Sequence, residues 1–95
     1  MENYIGKKVL VRAYEAGVYF GTLECYDDKK VKLSNVRNIW RWEGATCLSQ
    51  IANDGIRGGR VSPIVASMII GNWCQIIPLS ETAINNLEGQ SIWKI

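Results

Sequence analysis

Ninety-five residues, 47% of them hydrophobic and 21% charged, suit one domain with its own core, small enough that self-association is a natural way to bury more surface. A net charge of +2 is too weak a basic footprint for gripping a long duplex, and the absence of histidine removes the commonest general base and the commonest zinc ligand together. No apolar run approaches the roughly 20 residues of a membrane span, and Met1-Glu-Asn-Tyr-Ile5 lacks the regions of a signal peptide, so a soluble, cytoplasmic protein is expected.

Residues 8–14 alternate as a strand, with Val9, Val11 and Ala13 on one face and Leu10, Arg12 and Tyr14 on the other, both faces partly covered. After a turn at Glu15-Ala16-Gly17, a second strand begins with Val18 and Phe20 in phase and continues with Leu23 and Cys25 on the opposite parity. Gly21 sits at the change of phase, which predicts a bulge or sharp bend of the kind that closes small barrels. Asp27-Asp28-Lys29-Lys30 reads as a polar, solvated turn before the strand resumes at Val31. Cys25, Cys47 and Cys74 are odd in number, widely spaced and set among apolar or aromatic neighbours, which predicts reduced packing thiols and neither a disulfide framework nor a metal site.

The chemically richest stretch runs from Arg37 to Gln50. Strict alternation puts Trp40 and Trp42 on one face and Arg37, Ile39 and Arg41 on the other. Which of these faces is buried is open in the sequence, since tryptophans in a half-buried strand fill a core as readily as they stack on a ligand. Ala45, Leu48, Ile51 and Ala52 then recur at helical spacing up to a stop at Asn53-Asp54-Gly55, with the Ala45 and Thr46 amides placed to receive an anion. Asp54 to Arg60 reads as a glycine-rich loop that brings Arg57 and Arg60 within reach of a phosphate.

Residues 61–70 read as a strand weakened at Pro63, Gly71-Asn72 as a two-residue hairpin turn, and Trp73–Ile77 as its return strand. Ser80 is an N-cap followed by Glu81, an Ile84 and Leu87 stripe, and a stop at Gly89. Ser91–Ile95 is expected to pair with another strand or pack at a subunit contact.

The segments Ile5–Arg12, Ala16–Leu23, Leu33–Trp42, Gly44-Ala45, Leu48–Gln50 and Ile76–Pro78 together resemble an uncharacterised family of small tailed-phage and prophage proteins. That resemblance implies a viral or prophage origin and a compact, mostly β domain, and brings no functional residues with it. Locally, Gly21-Thr22-Leu23 with Tyr26-Asp27, then Ile56-Arg57-Gly58 with Val61, is similar to Sm-like RNA-binding barrels, although Lys29, Lys30 and Val31 stand where that family places its base-reading asparagine. The expected fold is thus mainly β with two short helices, a small and strongly bent SH3/Sm-like barrel or sheet of about six to seven strands over residues 1–95.

Function follows from chemistry present and chemistry missing. No nucleophile with a base and no carboxylate pair is specified, so an enzyme is not expected, and no cofactor is implied. Arginines for phosphate and flat rings for a base instead suggest a phage-encoded binding protein, a homo-oligomer, that sequesters a phosphorylated small molecule such as a nucleotide signal of bacterial immunity. Arg37, Arg41, Arg57 and Arg60 are the candidate phosphate ligands, Trp40, Trp42 and Tyr14 the candidate stacking rings, and Ser49 and Gln50 the polar readers. The alternatives are an Sm-like protein for single-stranded nucleic acid and an inhibitor that docks on a host protein through exposed tryptophans.

Overall fold

The computed structural model describes residues 4–93. Six antiparallel strands form one strongly bent sheet: β1 (Lys8–Ala13), β2 (Gly17–Tyr26), β3 (Lys30–Glu43), β4 (Gly58–Val61), β5 (Val65–Gly71) and β6 (Trp73–Pro78). Two short helices complete it, α1 (Leu48–Asp54) between β3 and β4 and α2 (Glu81–Glu88) after β6. The sheet runs β4-β3-β2-β1-β6, and β5 lies end to end with β4 along the same edge of β3. No helix among the described residues is long and apolar enough to cross a membrane.

The double-sided apolar pattern of β1 is realised. Val9, Val11 and Ala13 enter one core with Leu23, Val31, Leu33, Val36 and Ile70, while Leu10 enters a second with Val18, Phe20, Ile39 and the helix residues Ile51 and Leu87. The strand β2 serves both cores in turn, Val18 and Phe20 facing the helices and Leu23 the opposite side. The switch falls at Gly21, where the β2–β3 register shifts between Phe20 and Thr22 and Asn35 opposite adopts φ 50. A Cβ on Gly21 would lie 2.9 Å from the Ser34 carbonyl oxygen and 3.3 Å from the Val36 Cα, both backbone atoms that cannot swing aside. Gly21→Ala is therefore expected to cost about 1–3 kcal/mol, read as a lower urea midpoint at unchanged m-value.

Pro63 divides the long strand read over 61–70 into β4 and β5, the break falling at residues 62–64. The turn at Gly71-Asn72 forms, with Asn72 at φ 54, but it does not join a hairpin: β5 pairs with β3 and β6 with β1. Instead the turn carries the chain from one edge of the sheet to the other, its Asn72 N–H donating to the Lys29 carbonyl and its carbonyl accepting from the Tyr14 N–H. A local turn propensity specifies the turn and not the partner of the strand that follows it.

The polar turn before β3 is held by the Asp27 carboxylate, which accepts from the Lys29 and Lys30 N–H groups at 2.8 Å each and is kept below its usual pKa by those two bonds. In α2 the Ser80 hydroxyl accepts from the Ala83 N–H at 3.0 Å, and the buried pair is Ala83 and Leu87, with Ile84 half-buried beside them. Helix α1 begins at Leu48, later than the apolar spacing suggests, because the Gln50 side chain folds back and its oxygen accepts from the Thr46 N–H and hydroxyl. That bond occupies the Thr46 amide, so it is not the free anion receptor that the sequence suggests. Helix α2 is joined to the segment between α1 and β4 through Asn86, which accepts from the Ile56 N–H and donates to its carbonyl, both at 2.8 Å.

Candidate functional site

The Arg37 guanidinium is spent on the protein's own backbone. Its side chain is only 4% exposed, and its guanidinium donates to the carbonyls of Ser62 at 2.7 Å, Gln90 at 3.0 Å, and Leu87 and Ser91 at 3.4 Å. Burial pushes its pKa down, and the carbonyl dipoles compensate the charge. Arg37 thus ties β3 to the end of α2 and to the segment after it, and the phosphate-binding role read from its sequence position is withdrawn.

The strict alternation from Arg37 to Trp42 also breaks. The β3–β4 register shifts between Ile39 and Arg41, so Trp42 joins Ile39 against the helix-side core while Trp40 and Arg41 are exposed. Trp40 and Trp42 therefore do not share a face, and they serve two different constellations.

The first constellation stands at the β4 edge. Arg41 and Arg60 are register partners, and Trp40 packs edge-on against Trp93 with ring centres 4.8 Å apart. The Arg60 guanidinium lies over both indoles, 5.2 Å from the Trp40 ring centre and 4.8 Å from that of Trp93. The Trp93 N–H donates to the Val61 carbonyl, and Ile92 bridges Val61 in parallel, so the segment expected to dock does so on β4. Lys94 and Ile95 of that segment lie outside the described residues. A shallow cavity of about 360 Å³ beside Trp93 is lined by Arg41 and Arg60 but also by the Glu43 carboxylate. Arg60 belongs to β4 and not to a flexible loop, while Arg57 precedes the strand with its N–H bonded to the Glu43 carbonyl.

The second constellation gathers around β1. A cavity of about 480 Å³ is lined by Arg12, Tyr14, Val18, Trp42, Cys47 and Leu48, among others. Val18, Leu48 and Trp42 belong to the helix-side core and give it an apolar floor. Tyr14 stands 82% exposed, and among the described residues the Arg12 guanidinium has neither a hydrogen-bond nor an ion-pair partner. A second cavity of about 490 Å³ shares Arg12 and Tyr14 and continues to Cys74 and Gln75. Arg12 is the cation that sequence reasoning missed; the available signal was its shared parity with Tyr14, one residue past the end of β1.

Ser49 is exposed on α1, and Gln50 is engaged with Thr46, so neither polar reader reaches across a site as expected. The three cysteines are free, but they are exposed and do not pack as thiols in a core. Cys47 stands at the N-cap position of α1 without a side-chain cap bond, and the nearby Gln50 amide, with the Thr46 hydroxyl, holds its thiol below the usual pKa.

No curated protein and no solved structure matches the chain. A model of one family, described as a domain of unknown function (DUF6948), matches residues 6–87, which include β1 to β6 and most of α2 and carry both constellations except Trp93. The chain belongs to the DUF6948 family.

Proposed function

We propose that this protein is a non-enzymatic binding protein for a phosphorylated, ring-bearing small molecule of the nucleotide type, held in the groove around Arg12, Tyr14 and Trp42. The observation that carries this reading is the Arg12 guanidinium, unpaired among the described residues, on the wall of a 480 Å³ cavity with two aromatic side chains beside it. That volume falls in the range of roughly 300–1,000 Å³ typical of small-ligand pockets. The guanidinium offers forked donors to phosphate, and the rings offer a stacking surface to a base. Binding alone would be the activity: slow release lowers the free concentration of the ligand, and in the phage or prophage setting that the sequence resembles, an immune nucleotide in the host cytoplasm is the class of signal worth removing. Self-association belongs to the same proposal, and it is supported by the outer edge of β5, an uncharged strand with Val65 and Ile69 exposed.

The test is a thermal-shift and tryptophan-fluorescence screen against a nucleotide panel. A ligand should raise the melting temperature, and Arg12→Ala should weaken its binding by about tenfold or more, a loss of one charge-assisted contact, without changing the melting temperature of the free protein. A panel in which no nucleotide shifts either signal would overturn the reading.

A second reading rests on the other constellation. Two exposed indoles with Arg60 across them form an open platform on which a single-stranded nucleic acid could stack. It would show affinity rising with strand length and falling steeply with salt, and Trp93→Ala would weaken it, whereas Arg12→Ala would be the damaging change for a groove ligand.

A further inference from the structure

We infer that the groove takes a ligand with two ring-bearing halves joined through phosphate, a dinucleotide in chemical class. This rests on the small-ligand reading above and adds to it the number of halves and where each one lies.

The argument starts from β1 as a middle strand. It pairs with β2 on one side and β6 on the other, so Arg12 is the register partner of Val18 in one direction and of Gln75 in the other. Neighbouring strands lie about 4.8 Å apart, which sets Arg12 between the two flanking rows. The cavities follow the strands. One extends to the β2 and α1 side, over Val18, Trp42 and Leu48, and the other to the β6 side, over Cys74 and Gln75. At about 480 and 490 Å³ they are nearly equal, and Arg12 and Tyr14 are the side chains common to both.

Charge fixes what the centre of such a ligand must be. Among the described residues no carboxylate lines either cavity, and Arg12 is the one charged side chain of both linings. A ligand that fills both lobes therefore meets its cation at its middle, which suits an anionic linker flanked by two less charged halves. A phosphodiester has that arrangement, and its paired oxygens match the guanidinium fork. The lobes differ in chemistry: Trp42 offers a ring face on one side, while the Gln75 amide offers a donor and an acceptor to a base edge on the other. A mononucleotide would leave one lobe empty and place its terminal phosphate where a linker belongs.

The experiment compares mononucleotides, linear dinucleotides and cyclic dinucleotides over the four bases, by isothermal titration at one salt concentration. The best dinucleotide is expected to bind at least about tenfold more tightly than the best mononucleotide, because the second half binds at high effective concentration. Gln75→Ala, an exposed position, should narrow that ratio to within about threefold, with the melting temperature confirming that the variant is folded. Equal affinities, or a ratio that Gln75→Ala leaves intact, would overturn the two-lobed ligand while leaving a one-lobed nucleotide site standing. No binding by any member of the panel would remove both.

Discussion

Arg37→Ala is expected to be among the most destabilising single substitutions in this protein, at about 3 kcal/mol or more. The guanidinium donates to carbonyls from two stretches that are distant from it in sequence, at Ser62 and at Leu87, Gln90 and Ser91. Alanine would leave the Ser62, Gln90 and Ser91 carbonyls without this donor, while Leu87 keeps the bond from the Gln90 N–H, and buried acceptors left unpaired cost about 1–3 kcal/mol each. For a domain of this size, 3 kcal/mol corresponds to a fall of roughly 12–24 °C in melting temperature. Arg37→Lys should recover only part of the loss, since one ammonium on a longer stem cannot reproduce the planar fork. Equilibrium urea unfolding of the three proteins decides it. An Arg37→Ala protein within a few degrees of wild type would mean that water replaces the guanidinium and that the side chain is no tie. The consequence for function is practical: a binding defect in any Arg37 variant reads as lost structure, and Arg12 is the position at which to test ligand binding.

That arginine also shows where the sequence stops being informative. Period-two alternation placed Arg37 with Arg41 on a cationic face, and the inference was sound for a regular strand. The strand is not regular. Asn35 at φ 50 and the register shift between Ile39 and Arg41 reset the phase on either side of the segment, and only the bend at Gly21 had a sequence signal that could be read. Gly21, Pro63 and Ser80 were legible because each acts through local backbone chemistry: a missing Cβ, a missing N–H, a cap. The partners of Arg37, the stacking of Trp93 on Trp40 and the gathering of Arg12, Tyr14 and Trp42 were not, because each depends on which strands pair across long sequence separations. The Gly71-Asn72 turn marks the boundary between the two kinds of information. Its conformation was readable, while its role in sending β6 to β1 depends on bonds to Lys29 and Tyr14 that no local pattern encodes.

The β4 edge offers the other large effect, and it has a built-in control. A Cβ on Gly59 would lie 2.1 Å from the Arg41 carbonyl oxygen and 2.8 Å from the Trp42 Cα, so alanine fits only if β4 moves away from β3. The adjacent Gly58 has nothing within 4 Å of the same added atom. Gly59→Ala is expected to cost about 2–3 kcal/mol and Gly58→Ala less than about 0.5 kcal/mol, although both put the same methyl group into the same short strand. The spectroscopic consequence differs as well. Parting the strands separates the register partners Arg41 and Arg60 and draws Arg60 off the two indoles, so the near-ultraviolet circular dichroism of the Trp40–Trp93 pair should weaken in Gly59→Ala and persist in Gly58→Ala. If the two variants were equally stable, the β3–β4 approach would not be what holds this edge. Lost dichroism with little loss of stability would mean that Arg60 and its tryptophans form a surface ornament on a strand pair held elsewhere. Loss of both together would make the aromatic platform a direct product of one position where only glycine fits.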